Sequence, residues 1–252
     1  MQKSKIIGGI VFIVYLVFMI LEFSEHYSFA FLLDSLMVPL IGVAYFYSKT
    51  PKNIFFLLFL LFYTLSDIIG VVTHVLTYYN LSEPESLVFY KYDYYIGNTL
   101  YIFSYVFLLI RVASKISFFH VLRHLKVHVI VLIGLSVYLV YVLQNIINKD
   151  LEYEYEYSVE LVYNIIVLLL LSAALLNYFY RENKRSLFMF LGTLCIVFAE
   201  VLDVAYIYID QKSILNVTAA SLTLAAFYFY CKQTKFRDVI YRKEEEKYMM
   251  VE

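Results

Sequence analysis

The chain has 252 residues, a net charge of −1, and a composition that is 62% hydrophobic with a mean hydropathy of +0.73. Soluble domains are about 45–50% apolar, so a water-soluble globule is excluded as the main body, and a balanced charge gives no footprint for nucleic acid. Cys195 and Cys231 both sit in apolar runs and form neither a disulfide framework nor a metal motif; no cofactor and no metal site is implied.

A bilayer core about 30 Å thick takes about 20 apolar helical residues. Eight stretches qualify in chain order: Ile6 to Phe23, Phe29 to Tyr47, Ile54 to Tyr78, Ile96 to Val112, Val127 to Ile147, Val159 to Phe179, Leu187 to Ile209, and Ile214 to Tyr230. The first follows Lys3 and Lys5 as a signal sequence would. No small-residue cleavage site follows it, and Glu22 and Glu25 come next, so it reads as a retained span. The expected fold class is all-α: a polytopic membrane bundle of about eight transmembrane helices in one domain over residues 1–231, with a short charged tail from Lys232 to Glu252. The connections read as short, apart from two on the outer side, Tyr78 to Ile96 and Ile147 to Val159.

Lysine and arginine set the orientation. With the N-terminus inside, seventeen of the twenty basic residues fall on cytoplasmic segments, and only Lys91, Lys149 and Lys212 fall outside. Most acids lie on the outer side, including the run Asp150 to Glu160, whose alternating tyrosines read as interfacial anchors. Both termini are therefore expected in the cytoplasm. His120, His124 and His128 recur one turn apart beside Arg123 and Lys126, which reads as an interfacial basic helix on anionic lipid. Asn80-Leu81-Ser82 is a glycosylation sequon whose meaning depends on the host.

Four acids fall inside spans: Asp34, Asp67, Glu200 and Asp203. An acid at mid-bilayer costs about 2.5–3.5 kcal/mol on insertion scales. No lysine or arginine inside a span pairs with them. Asp67 and Glu200 are central in spans 3 and 7, and Asp203 shares a face with Glu200 at i, i+3. Asp34, Asn98, Asn164 and Asn216 fall in the outer half of their spans, and His74 lies seven residues beyond Asp67 on the same face. Periodicity and orientation predict one polar cavity in the outer half. His74 alone reads more naturally as a packed polar residue than as a catalyst. Phe55 to Asp67 also echoes Phe188 to Glu200 at a constant offset, suggesting a parallel duplication.

At these two segments the chain resembles the YhhN family, the lysoplasmalogenase-like membrane proteins. Leu61-Phe62-Tyr63-Thr64-Leu65-Ser66-Asp67 stands where that family has l-f-S-l-l-G-D, and Gly192 to Glu200 where it has G-x-x-x-F-x-x-S-D, with Glu for Asp. Asp34 stands where the family tends to have lysine. In span 4 Gly97, Tyr101 and Tyr105 occupy a Gly-x-x-x-aromatic pattern that usually leads to histidine. Ala220-Ser221 replaces an Ala-Gln. The resemblance implies an eight-span fold, a lysophospholipid ligand in the bilayer, hydrolysis of its vinyl-ether bond, and residence in a bacterial cytoplasmic (inner) membrane. It leaves the oligomeric state open.

Vinyl-ether hydrolysis begins with protonation of carbon to give an oxocarbenium ion, to which water adds. One carboxyl must hold a proton and a second, ionised, must face the cation, as in glycosidases. Asp67 and Glu200 are expected in these roles with Asp203 in reserve. Asp34, His74, Asn98, Tyr101, Tyr105, Asn164 and Asn216 are expected around the substrate. The alternatives are a non-catalytic lipid-binding or scaffold protein of the same fold, and a proton- or cation-coupled transporter. The inner half of the spans carries little polar beyond Asn177, which disfavours a relay across the membrane.

Overall fold

The computed structural model describes residues 2–80, 82–116, 121, 123–148, 151, 153–234 and 236. Among them are eight α-helices and no strand: α1 (Gln2–Phe23), α2 (Tyr27–Phe46), α3 (Ile54–Asn80), α4 (Glu83–Ala113), α5 (Lys126–Ile147), α6 (Glu156–Arg181), α7 (Lys184–Tyr208) and α8 (Ser213–Gln233). All eight are long and apolar enough to cross a membrane. Such helices satisfy their own backbone groups, the requirement hydrocarbon imposes. The run at His120, Lys149, Asp150, Leu81 of the sequon and nearly all of the charged tail lie outside the described residues.

Successive helices run in alternating directions, so the bundle has a basic end and an acidic end. The basic end holds Lys52, Arg111, Lys115, Arg181 and Arg185 at helix termini. The acidic end holds Glu22, Glu25, Glu156 and Asp210. Some of the helices start where a side chain meets their unsatisfied N–H groups. Asn53 Oδ1 accepts from Phe56 N at 3.2 Å before α3, and Asn183 Oδ1 accepts from Ser186 N at 2.8 Å before α7. At α4, Glu85 Oε2 accepts from Ser82 N and Ser82 Oγ at 3.1 and 2.7 Å.

The cap at Ser82 changes one expectation. Span 4 reads as starting at Ile96, but α4 begins at Glu83, and the outer connection before it is two residues rather than a long loop. The charges Lys91 and Asp93 lower the local hydropathy without breaking the helix. Thr73 Oγ1 donates to Asp93 at 3.3 Å, and Thr77 Oγ1 donates to the Tyr90 hydroxyl at 2.8 Å, so this extension packs on the last turns of α3. In the same way α6 begins at Glu156, not Val159.

Six helices close a ring in the order α2, α3, α4, α6, α7, α8, with α8 returning to α2. Outside it, α1 packs on α2 and α8, and α5 packs on α6 and α7. The neighbour relations repeat at an offset of four helices: α1–α2 with α5–α6, α2–α3 with α6–α7, α3–α4 with α7–α8, and α4–α6 with α8–α2. Around the ring, helices 1–4 and 5–8 thus follow one order in parallel, while the outer contacts α1–α8 and α5–α7 depart from it. The faint echo between Asp67 and Glu200 becomes a spatial relation, since α3 and α7 stand opposite each other in the ring. The outer helices expose apolar rows, Phe12, Ile13 and Ile20 on α1 and Val127, Ile130 and Val137 on α5. Exposed apolar surface of that extent belongs against hydrocarbon.

The ring is plugged towards its basic end by aromatic rings from α3, α4 and α8. Phe56, Phe59, Tyr105, Phe227 and Tyr230 are each fully buried. Phe59 stacks on Phe56 and Phe227 with centroids 5.6 and 5.5 Å away, and meets Tyr230 edge-on at 5.7 Å. Without a hydrophobic drive between helices in lipid, close packing of this kind holds them. Gly192 of α7 is where Tyr230 of α8 is received: a Cβ there would lie 2.6 Å from the ring.

Candidate functional site

Polar residues recur at helical spacing on the inner faces of the ring. On α4 they are Tyr94, Asn98, Tyr101 and Tyr105; on α6, Glu156, Glu160, Tyr163 and Asn164; on α7, Glu200 and Asp203. Spacings of three and four residues keep each set on one face. Asp34 of α2, Tyr63 and Asp67 of α3, and Asn216 and Thr223 of α8 complete the wall of one cavity of about 570 Å³ at the acidic end. Pro39 on α2 cannot donate to the Ser35 carbonyl one turn earlier, and Ser35 also lines the cavity.

The central carboxyls are held by tyrosines. Tyr101 donates to Asp67 Oδ1 at 2.5 Å, and Tyr105, one turn further along α4, donates to Glu200 Oε1 at 2.5 Å. Tyr163 of α6 lies within electrostatic reach of Glu200 and packs edge-on against Tyr105, ring centroids 5.7 Å apart. Asp67 is buried and its Oδ2 has no hydrogen-bond partner. Tyr63, one turn before Asp67, lies within electrostatic reach of Asp67, Glu200, Asp203 and Asp34 together. Nearer the mouth, Tyr94 donates to Glu160 Oε1 at 2.9 Å and Tyr208 to Glu156 Oε1 at 2.8 Å. Glu156 Oε2 also accepts from Tyr153 N at 2.9 Å, and the Tyr95 hydroxyl bonds the Glu154 carbonyl.

Six carboxyl side chains line this cavity, and among the described residues no lysine, arginine or histidine does. Each buried carboxylate is costly unless hydrogen-bonded, which accounts for the surrounding tyrosines. Among the described residues no three His, Cys, Asp or Glu groups are placed to hold a metal ion. A side branch of about 200 Å³ opens from Asp67 and Tyr101 between α2, α3 and α4, past Gly70, Gly97 and Phe31. The approach at Gly97 is close: a Cβ there would lie 3.3 Å from Ser66 Oγ, which donates to the Gly97 carbonyl.

Of the residues expected at the site, Asp34, Asp67, Asn98, Tyr101, Asn164, Glu200, Asp203 and Asn216 all line the one cavity. Tyr105 lies beneath its floor and reaches it through Glu200. His74 does not line it. Its Nε2 is 2.7 Å from Ser28 Oγ, and its ring meets Phe31 at a tilt of 53° with centroids 5.1 Å apart, so it ties α2 to α3. The expectation that His74 contacts substrate is corrected accordingly.

Glu156, Glu160, Tyr63, Tyr94, Tyr163 and Tyr208 were not singled out by sequence. Glu156 and Glu160 were hidden by the acidic run around them, which reads as an exposed loop. Glu160, Tyr163 and Asn164 stand at i+4, i+7 and i+8 from Glu156, and that helical spacing was the available signal.

The fold and cavity define a class: an all-helical bundle of eight apolar, membrane-length helices around an acidic, tyrosine-lined chamber. No protein-family profile, no curated protein and no solved structure matches the chain.

Proposed function

We propose that this chain is an integral membrane hydrolase of the YhhN kind that cleaves the vinyl-ether bond of lysoplasmalogen-type lysophospholipids in a bacterial cytoplasmic membrane. The basic end and both termini would lie in the cytoplasm and the acidic cavity would open outward, following the basic-residue bias. The observation that carries the reading is the joint placement of Asp67 and Glu200 in one cavity, each gripped by a tyrosine of α4.

Their surroundings divide the roles. Glu200 accepts from Tyr105 and is only half-buried, so the cavity can solvate it as a carboxylate. Asp67 accepts from Tyr101 alone and keeps a bare Oδ2, the oxygen that would carry a proton. Asp67 would protonate the β-carbon of the vinyl ether, and Glu200 would face the resulting oxocarbenium ion and take a proton from the water that adds to it. The hemiacetal would then collapse to fatty aldehyde and glycerophospho-alcohol, and Glu200 would release the proton it took from water to the cavity as Asp67 takes one up, which resets both carboxyls with no net proton consumed.

A second reading is favoured by the six carboxyls and the absence of basic residues in the lining: a non-catalytic protein that binds a cationic ligand. The aromatic plug beneath the cavity argues against passage to the other end. The test is release of fatty aldehyde from lysoplasmalogen in detergent, with ester lysophospholipid as the control. Aldehyde from the vinyl ether alone supports the hydrolase. No product from either lipid, with ligand binding retained, supports the second reading.

A further inference from the structure

Towards the acidic end α1 is tied to α8. The Tyr15 hydroxyl and Ser221 Oγ are 2.5 Å apart, Ser213 Oγ donates to the Glu22 carbonyl at 3.1 Å, and the fully buried Phe18 packs with Val217 and Ala220. Between these ties and the basic end a wedge of about 430 Å³ opens between α1, α2 and α8. On its α1 wall stands Gly8, where an added Cβ would meet no atom within 4 Å. The buried Tyr45 and Phe227 form the floor, and Phe12 and Tyr228, both more than half exposed, form the lips. We propose that this wedge is a binding site for one acyl chain of an anionic phospholipid in the leaflet at the basic end, which is the cytoplasmic leaflet in the orientation proposed above.

The depth of the wedge matches a leaflet. From Phe12 back to Ser4 is eight residues of α1, and from Ile41 to Ser48 seven of α2. At a rise of about 1.5 Å per residue these are about 10–12 Å, most of the roughly 15 Å that one leaflet gives to the hydrocarbon core. The lining is apolar through that depth and turns polar only at its end, at Ser4 and at Ser48 and Thr50, whose hydroxyls are 2.7 Å apart. A phospholipid has the same profile, chain first and then ester and phosphate. Water would find too few polar partners in the apolar part, and an empty void forfeits dispersion contacts. Hydrocarbon is the occupant the membrane supplies. The charge at the mouth selects the headgroup. Lys5 follows Ser4, and Lys232 follows Cys231, its Nζ donating to the hydroxyl of the lip residue Tyr228 at 2.9 Å. Among the described residues no carboxylate lines the wedge. Lysines at the membrane surface favour an anionic headgroup over a zwitterionic one.

Among the described residues none lines both the wedge and the acidic cavity, so this test can fail without touching the hydrolase reading. The full-length protein, delipidated in neutral detergent, is incubated with phosphatidylglycerol or with phosphatidylcholine of the same chains, and retained lipid is read by native mass spectrometry. Phosphatidylglycerol should be held about tenfold or more better, the preference that two nearby lysines supply. Lys5→Gln/Lys232→Gln should bring it down to the level of phosphatidylcholine. Gly8→Phe places a ring in the open space of the wedge and should abolish retention. Gly134→Phe places the same ring on α5, where space is also open, and should leave retention unchanged. Thermal unfolding in lipid-free detergent checks that Gly8→Phe is folded; if it is not, Gly8→Leu carries the same expectation with less bulk. Equal retention of the two lipids by the wild type, or phosphatidylglycerol held equally by the wild type and the folded Gly8 variant, overturns the proposal.

Discussion

Tyr101 and Tyr105 stand one turn apart on α4 and each donates a 2.5 Å hydrogen bond to a carboxyl on a different helix, Asp67 on α3 and Glu200 on α7. One helix face therefore sets the relation between acids that come from opposite sides of the ring. The two carboxyls are not equivalent, because Asp67 is buried with its Oδ2 unpartnered while Glu200 is only half-buried.

That difference predicts the effect of removing each hydroxyl. Tyr101→Phe leaves Asp67 without a hydrogen bond, at a cost of about 1–3 kcal/mol for a buried polar group left unpaired. Tyr105→Phe leaves a Glu200 that the cavity keeps partly exposed, and is expected to cost less. Thermal unfolding in detergent, followed by helical circular dichroism, measures both. Equal losses for Tyr101→Phe and Tyr105→Phe would show that the exposure of Glu200 does not offset its lost bond.

The eight-helix architecture was legible because hydrocarbon allows few spanning structures, and a hydrophobic stretch of sufficient length announces each helix. The gathering of Asp34, Asp67, Glu200, Asp203 and the three asparagines was legible too, since depth follows from position along a span and face from periodicity. Helix ends were less so. At Glu83 and Glu156 the start depends on a local cap and on tyrosines packing across helices, neither of which hydropathy registers. His74 was misplaced because its face is shared by Asp67, while its seven-residue displacement carries it past the cavity wall to Ser28. The order of helices around the ring, and so the opposition of α3 and α7, could not be read from the chain beyond the hint of an internal repeat.

Gly192 should not tolerate a side chain. Its added Cβ would meet Cε1 and Cδ1 of Tyr230 at 2.6 and 2.7 Å and the Ala226 carbonyl at 3.2 Å. Tyr230 is itself fully buried and bonds Thr193 Oγ1 at 3.2 Å, so it has little room to move. Gly192→Ala is expected to destabilise the α7–α8 contact by about 1–3 kcal/mol. Gly134→Ala, where no atom lies within 4 Å of the added Cβ, is the matched control and should be neutral or slightly stabilising. A neutral Gly192→Ala would mean that the tyrosine seat is looser than drawn.

The proposed orientation places Lys115 and Glu154 on opposite sides of the membrane. Single cysteines at these positions, in a background with Cys195→Ala and Cys231→Ala, are probed in intact cells with an impermeant thiol reagent. Glu154→Cys should label and Lys115→Cys should label only after lysis. Labelling of both from outside would refute the assignment of the basic end to the cytoplasm, and with it the outward opening of the cavity.

Asp67→Asn and Glu200→Gln are each expected to abolish hydrolysis while the protein still inserts and folds. Each amide keeps the size and polarity of the acid, and each retains a carbonyl oxygen to accept from Tyr101 or Tyr105. Stability should therefore hold or rise, because an ionisable group in a membrane-buried setting is being replaced by a neutral one. The chemistry is different. Asparagine at 67 has no proton to give to carbon, and glutamine at 200 offers no charge to an oxocarbenium ion. General acid–base contributions are about 10²–10⁴-fold each, so aldehyde release should fall by at least two orders of magnitude in either variant. His74→Gln serves as the internal comparison: its bond to Ser28 lies off the cavity, and activity should stay within a few-fold of wild type. Retained activity in both amide variants would remove Asp67 and Glu200 from the mechanism. A loss accompanied by collapse of the helical signal would instead assign them a structural role, because the amides were chosen to preserve the hydrogen bonds that hold α3, α4 and α7 together.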